Sequence, residues 1–359
     1  MKIKSITLQN YKRFVEPITF YFTNPDGEVN EKTLLIGNNG TGKSSILQAI
    51  VALVASATRE KFKPNGLEWA GFNYDSLQTG SSFLKIEAEI VFEEEEIEAT
   101  YEYAEKLKNM GKKVSPMPST EKTVKLYLDF ANDTVNVKSN FGLNGVRQFS
   151  GYQYAKQIVK TTPEPIRLFD TVGNIYWYHE QRNINAVTDF LANKGNKFLQ
   201  LDDIRRLLVN AYSNYMALLD KYGGLPEGKF NNYDRLRSSY AQIFNGRTLV
   251  GAALHDDLND LDTTNPFMFS DGKNEYELSE MSAGERAILP ILINFAFSNI
   301  NNSIIIIDEV ELHLHPPLQQ ALVRTLPKLG KNNQFIFTTH SNSVTPLFNT
   351  FDNEIIRLK

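Results

Sequence analysis

Gly37-Asn38-Asn39-Gly40-Thr41-Gly42-Lys43-Ser44 follows the apolar run Thr33-Leu34-Leu35-Ile36. It precedes a stretch, 45–57, that is rich in Ala, Val, Leu and Ile and free of Gly and Pro. The order reads as buried strand, glycine-rich loop, helix. The spacing fits G-x-x-x-x-G-K-[ST], and each residue type has a reason to be there. Glycines let successive backbone N–H groups turn inward toward phosphate oxygens, and the next helix points its positive N-terminus at the same place. Lys43 has the reach for β- and γ-phosphates, and the Ser44 hydroxyl suits Mg²⁺. The whole segment, Gly37 to Ser45, is therefore the leading candidate for a nucleotide phosphate site.

On the N-terminal side, residues 1–22 read as two strands. Ile3, Ile6 and Leu8 carry the first; Ile18, Phe20 and Phe22 alternate with Thr19 and Tyr21 in the second. A turn at Asn24-Pro25-Asp26-Gly27 leads into the buried strand. Beyond the helix, 83–92 alternates as a strand, followed by the acidic run 93–96. The lysine-rich 106–113, with Pro116 and Pro118, reads as an exposed excursion with a short helix before it. Residues 174–178 (NIYWY) form a strand ending in His179-Glu180-Gln181-Arg182. From about 185 to 258 the pattern is helical, with Leu201, Ile204, Leu207, Leu208, Ala211, Tyr215 and Leu218 on a 3.6-residue period. The last third alternates again: helix 283–297, strand 303–307, helix 318–326, strand 334–339. Continuous β-branched runs imply strands buried on both faces. The expectation is an α/β protein of the P-loop NTPase class, with a core sheet flanked by helices, an antiparallel β portion and a helical insertion. Its expected parts are an N-terminal lobe (1–184), a mainly helical insertion (185–276) and a C-terminal lobe (277–359).

Composition narrows the chemistry. The 359 residues contain no cysteine, which excludes disulfides, thiolate zinc sites, iron–sulfur clusters and cysteine nucleophiles. A net charge of −4 excludes a uniformly basic coat for nucleic acid, though not a local patch. The start MKIKSITLQN lacks the apolar core of a secretion signal. Neither apolar stretch, 45–57 or 287–297, reaches the roughly 18–20 residues that cross a bilayer. A cytoplasmic protein with no membrane partner is expected.

Three further motifs lie near the C-terminus. The strand 303–307 ends in Asp308-Glu309, 265 residues beyond Lys43. P-loop enzymes place an aspartate there to hold Mg²⁺, and an adjacent glutamate can act as general base on a water; alone, the pair could also be a solvated strand cap. About 25 residues upstream stands Leu278-Ser279-Glu280-Met281-Ser282-Ala283-Gly284-Glu285-Arg286. Ser282 and Gly284 open a helix whose N-terminus can face phosphate, and Ser282 with Glu285 equally makes a capping box. After the last strand comes Thr338-Thr339-His340-Ser341, in which His340 is either a phosphate contact or a surface turn residue.

Leu278–Arg286 resembles the ATP-binding-cassette signature in its S-x-G-[EQ] form. Leu8-Gln9-Asn10-Tyr11-Lys12-Arg13-Phe14 is similar to the L-x-N-[FY]-[KR]-x-F opening of the SMC-like and RecF/OLD-like branch of cassette ATPases. Glu311-Leu312-His313-Leu314-His315-Pro316 resembles the E-x-x-L-H-P segment that follows their acidic pair. Transport cassettes differ at both places. The resemblance covers about residues 1–60 and 277–359.

It implies ATP and Mg²⁺ as ligands, with Lys12, Gly37, Asn38, Asn39, Gly40, Thr41, Gly42, Lys43, Ser44 and Ser45 around the nucleotide. It implies Ser44 and Asp308 at the metal, and Lys43, Glu309 and His340 in hydrolysis. Ser282, Gly284 and Glu285 would cover the γ-phosphate held by a second copy of the chain, giving an ATP-dependent homodimer or an oligomer built from such dimers. No glutamine loop is fixed by the sequence; Gln78 and Gln181 are the candidates. Stand-alone heads of this branch resemble ATPase subunits of DNA-repair or anti-phage machinery. The chain ends about twenty residues past His340, so an effector, for instance a TOPRIM nuclease, is expected as a separate polypeptide. DNA is a candidate ligand through the basic groups at 106–113, Arg205-Arg206 and Arg235/Arg237, which also read as solvated faces. His313 and His315 form H-x-H, a pattern open to zinc. An ATP-gated scaffold without turnover is the alternative, which a hydrolysis assay decides, and a transporter ATPase subunit is the lesser one.

Overall fold

In chain order, β1 (Lys2–Gln9), β2 (Ile18–Tyr21) and β3 (Lys32–Ile36) precede α1 (Lys43–Thr58), and β4 (Lys85–Val91) leads to α2 (Glu94–Asn109). Then come β5 (Thr123–Ala131), β6 (Thr134–Ser139), α3 (Gly142–Arg147), α4 (Gly151–Thr161) and β7 (Ile175–Tyr178). The helices α5 (Leu201–Tyr222) and α6 (Asn232–Ile243) are followed by β8 (Thr248–Ala252), β9 (Phe267–Ser270) and β10 (Glu275–Glu277). The chain closes with α7 (Ala283–Ser298), β11 (Ile304–Ile307), α8 (Pro316–Thr325), β12 (Gln334–Thr339) and β13 (Ile355–Arg357). This computed structural model describes residues 1–58, 84–131, 134–161, 166–178, 201–224, 231–253 and 265–359. The described residues form two units, the first Met1–Trp177, Ile300–Glu309 and Gly330–Lys359, the second Tyr178–Asn299 and Val310–Leu329.

The first unit holds two five-stranded sheets. One has the order β13-β3-β12-β11-β7, with β13, β3, β12 and β11 mutually parallel. Its central strands are buried on both faces: all of Ile304–Ile307 and all six residues of β12. That burial explains their unbroken apolar runs. The helix α1 has thirteen of its sixteen residues buried, in keeping with apolar side chains all round it.

The other sheet is antiparallel, in the order β2-β1-β4-β5-β6. Strict alternation would put Ile3 and Ile6 on opposite faces, yet both are fully buried. The register shift between Ile3 and Ser5 resolves this, because a bulge at Lys4 returns the strand to phase. The Gln334 side chain from β12 takes both backbone groups of Ile3: Ile3 N–H donates to Oε1 at 2.7 Å and Nε2 donates to the Ile3 carbonyl at 2.8 Å.

The lysine-rich excursion begins inside a helix. Lys106 and Lys108 form the last turn of α2, and Glu94, Glu95 and Glu96 its first. Acids at the N-terminus and bases at the C-terminus complement the helix dipole, and the short helix expected before the excursion runs on through Lys106 and Lys108 to Asn109.

In the second unit β8, β9 and β10 form an antiparallel sheet. The helical expectation for 185–258 holds for α5 and α6 but fails at β8. There Leu249 and Gly251 are buried while Thr248 and Val250 face out, a two-residue period that a helical reading of the segment overlooked. Aromatic rings fill the space beside it: Tyr233 lies 5.3 Å from Tyr212 and 5.1 Å from Tyr215, and Phe267 lies 5.3 Å from Phe269.

Candidate nucleotide site

The strand β3 delivers the glycine loop at its C-terminal edge, and α1 begins at Lys43, so loop and helix meet as the sequence order requires. Gly40 and Gly42 have φ of +79° and +94°, the left-handed region open to glycine. At Gly42 space is also short, because an added Cβ would stand 2.7 Å from Phe14 Cζ and 2.8 Å from Arg13 Cδ. The loop is tied from within. Lys43 Nζ donates to the Gly37 and Asn38 carbonyls at 2.9 and 3.1 Å, and Thr41 Oγ1 donates to the Asn38 carbonyl at 2.9 Å. Lys43 is thus 6% exposed and its ammonium is curled under the loop.

A cavity of about 370 Å³ opens over this loop. Asn39, Gly40, Gly42, Lys43, Ser44 and Ser45 form its floor, and Lys12, Arg13, Glu309 and His340 its walls. Residues from four separate segments of the sequence therefore meet in one place within the first unit.

Lys12 has a φ of +50° and donates its Nζ to Gln48 Oε1, one turn into α1. Burial pushes the Lys12 ammonium below the ordinary lysine range. Arg13 donates to the Gly40 carbonyl, bracing the loop from the solvent side.

The acidic pair follows β11. Asp308 is 3% exposed and Glu309 lines the cavity. Glu309 has a φ of +47°, a strained backbone for a residue with a side chain. Its N–H donates to Thr338 Oγ1 at 2.7 Å, and the same hydroxyl donates to Asp308 Oδ1. His340, two residues after Thr338, is exposed on the cavity wall.

Ser282, Gly284 and Glu285 belong to the second unit. Ser282 caps α7: Glu285 N–H donates to Ser282 Oγ at 3.3 Å, while Ser282 N–H and Oγ donate to Glu285 Oε2 at 3.0 and 2.7 Å. Arg247 reaches the same oxygen at 2.8 Å, and the Tyr240 and Tyr276 hydroxyls donate to the other. Burial alone would raise the Glu285 carboxyl, but the hydrogen bonds from Tyr240, Tyr276, Ser282 and Arg247 overcome it and bring the carboxyl down to about 2. Glu285, grouped with the ligand contacts on sequence, is 1% exposed with both oxygens occupied by this chain's own donors. It holds the serine. At Gly284 an added Cβ would come 3.2 Å from the His313 carbonyl, so the segment 311–315 packs against the start of α7.

Among the described residues no three His, Asp or Glu side chains gather as an all-protein metal cage. His313 is exposed at a φ of +60°, and His315 is the N-cap residue of α8 before Pro316 and Pro317. The oxygen donors Ser44 and Asp308 instead fit a hard cation such as Mg²⁺, which keeps several waters and takes few protein ligands. Gln78 and Gln181 lie outside the described residues. Sequence reasoning passed over Thr338, Gln48, Tyr240, Tyr276 and Arg247. Threonine in a strand and tyrosine in a core carry no signal of their own, and only their partners give them meaning.

A family model described as "AAA domain, putative AbiEii toxin, Type IV TA system" matches residues 32–345. "Retron Ec83 probable ATPase" of Escherichia coli is 26% identical over 393 residues, covering 96% of this chain and 69% of that protein. "Retron Vc95 probable ATPase" of Vibrio cholerae serotype O1 biovar El Tor is 24% identical over 383 residues, covering 95% and 70%. "Chromosome partition protein Smc" of Halothermothrix orenii is 26% identical over 220 residues, 60% of this chain but 18% of that protein. Among solved structures, an SMC head bound to the C-winged helix domain of ScpA has a TM-score of 0.53 at 13% identity, covering 99% of this chain and 94% of that one. An SMC head with an extended coiled coil, bound to the C-terminal domain of ScpA derived from Pyrococcus furiosus, has a TM-score of 0.51 at 13% identity and covers 100% and 94%. The fold is that of an SMC head. No helix among the described residues is long and apolar enough to cross a membrane.

Proposed function

Since this chain belongs to the family described as "AAA domain, putative AbiEii toxin, Type IV TA system" and is an ATPase, we propose that it hydrolyses ATP in the Lys43 cavity and uses ATP to join two copies of itself. The observation that carries this is the meeting of Lys43, Ser44, Glu309 and His340 in the lining of one cavity. In this reading Lys43 leaves the Gly37 and Asn38 carbonyls for the β- and γ-phosphates, while the loop N–H groups from Asn39 to Ser45 take the remaining phosphate oxygens. Lys12, released from Gln48, adds a further positive charge. Glu309 takes a proton from the attacking water as its oxygen bonds to the γ-phosphorus. The bond to the β–γ bridging oxygen breaks, and ADP leaves with that oxygen. His340 holds the γ-phosphate and orients that water. Ser44 and Asp308 would hold Mg²⁺, which supplies Lewis-acid neutralisation of phosphate charge.

The Ser282 turn of a second copy closes over the γ-phosphate, so that a two-fold dimer encloses two ATP molecules. Loss of the γ-phosphate removes that link and lets the dimer part. The readiness of the Ser282 N-cap, held by five donors to Glu285, supports this role. The dimer controls a separate effector polypeptide in defence against invading nucleic acid, in the cytoplasm. The retron-associated names of two relatives and the resemblance to stand-alone cassette heads support this part.

The test is a pair of variants. Glu309→Gln is expected to trap an ATP-bound dimer on a sizing column, and Ser282→Arg added to it is expected to abolish the dimer. A double variant that still dimerises, with a Ser282→Arg single variant that hydrolyses ATP normally, would overturn the shared site.

A further inference from the structure

We propose that Thr338 is a positioning residue for ATP hydrolysis: one buried hydroxyl orients the Asp308 carboxylate and holds the backbone of Glu309. The threonine lies in β12 and is 0% exposed. A strand buried on both faces gains nothing from a hydroxyl for packing, where valine has the same shape without the cost of desolvating an O–H group. What the hydroxyl does is bonded on both sides. It donates its single hydrogen to Asp308 Oδ1 and accepts the Glu309 N–H at 2.7 Å.

Each bond fixes a different part of the site. Donation to Oδ1 sets the rotation of the Asp308 carboxylate and leaves Oδ2 as the oxygen turned to other partners. Acceptance from Glu309 stabilises a residue whose φ of +47° its own side chain disfavours. Glu309 lines the cavity from that backbone conformation, so its placement depends on a bond that Thr338 makes. The strand β12 also carries His340 just beyond its end, and β12 pairs with β11 in parallel register, Ile307 opposite Phe337. The threonine is the cross-strand fastener at the point where the two strands hand their polar residues to the cavity. Thr338 touches neither nucleotide nor water in this scheme; it acts through its two neighbours.

This inference rests on the reading of Asp308 and Glu309 as the metal-holding and water-activating residues, and the experiment separates the two. Thr338→Val, Thr338→Ser and Lys43→Ala are compared for kcat, KM for ATP, the Mg²⁺ concentration giving half-maximal rate, and hydrogen exchange of the peptide containing Glu309. Thr338→Val is expected to lower kcat by about 10–100-fold with KM changed less than about threefold, since the loss falls on the reacting geometry. The Mg²⁺ requirement rises and the Glu309 amide exchanges faster, the latter without nucleotide present. Thr338→Ser keeps both bonds and returns each readout to within about threefold of the parent. If the valine variant does not fold, Thr338→Ala, which removes the hydroxyl without filling its place, carries the same expectations. A folded valine or alanine variant with parental kcat, Mg²⁺ requirement and Glu309 exchange overturns the proposal, provided Lys43→Ala is inactive. Hydrolysis that persists in Lys43→Ala overturns instead the reading of the cavity on which it rests.

Discussion

Glu285 and Ser282 hold each other in both directions, the serine hydroxyl 2.7 Å from the carboxylate and the Glu285 N–H 3.3 Å from that hydroxyl. The second carboxylate oxygen is taken by Tyr240 and Tyr276, which α6 and β10 supply. The helix start that the sequence offered either as a ligand surface or as a capping box is, locally, a capping box built into a larger buried network.

That network makes stability depend on acid. The folded Glu285 carboxyl titrates near 2, below the ordinary glutamate value of about 4.5, so its contribution is complete above pH 4.5 and is lost as pH falls toward 2. Glu285→Gln is expected to cost about 1–3 kcal/mol at pH 7 and to flatten the loss of stability below pH 4.5. Thermal unfolding midpoints of both proteins between pH 3 and pH 7 check this; parallel curves would remove Glu285 as the cause.

Lys43→Ala is expected to reduce ATP turnover by about 10²-fold or more, because no other loop residue can place a cation on the phosphates. It should leave the fold intact, since its bonds to the Gly37 and Asn38 carbonyls stay within the loop itself. Steady-state phosphate release together with a thermal midpoint within a few degrees of the parent tests both halves.

Gly42→Ala combines a φ of +94° with a 2.7 Å approach to Phe14 Cζ. Strain of about 1–3 kcal/mol is expected, relieved by moving Phe14 and Arg13 off the loop. Nucleotide affinity should fall with it, whereas Gly27→Ala, in the turn after β2 with open space around it, should leave affinity unchanged. Titration with a fluorescent ATP analogue compares the two.

Gln334→Leu leaves the Ile3 N–H and carbonyl without their partners in a fully buried place. Two orphaned backbone groups are expected to cost about 2–4 kcal/mol, read from urea unfolding. A cost near zero would mean that the bulge beside Ile3 re-pairs within its own sheet.

The parts legible in the sequence were those whose chemistry demands a fixed order of residue types. Glycines before a Lys-Ser pair need an apolar strand ahead and a helix behind. Likewise Ile304–Ile307 could be little else than an interior strand, and the Asp308-Glu309 pair at its end faced the right way for a polar site. What stayed hidden depended on partners remote in sequence. Thr338 reads as a β-former until Asp308 and Glu309 are placed beside it, and Gln48 reads as an interior helix residue until Lys12 arrives. The end of α2 was misplaced, because polarity alone does not distinguish the last turn of a helix from the loop that follows it. The sheet of β8 to β10 was missed for a different reason: its strands are three to five residues long, too short for a two-residue period to stand out.

The strand order β13-β3-β12 has a consequence for how the chain is made. β3 ends at Ile36, yet the neighbours on its two sides start at Gln334 and Ile355. At synthesis rates of 5–20 residues per second, the ribosome takes roughly 15–60 seconds to deliver the first of them. Throughout that interval the nascent polypeptide carries Thr33-Leu34-Leu35-Ile36 with both edges open, an adhesive strand awaiting partners. Survival in the cell thus turns on shielding during translation, and overproduction at low temperature or with added chaperones should raise the soluble yield.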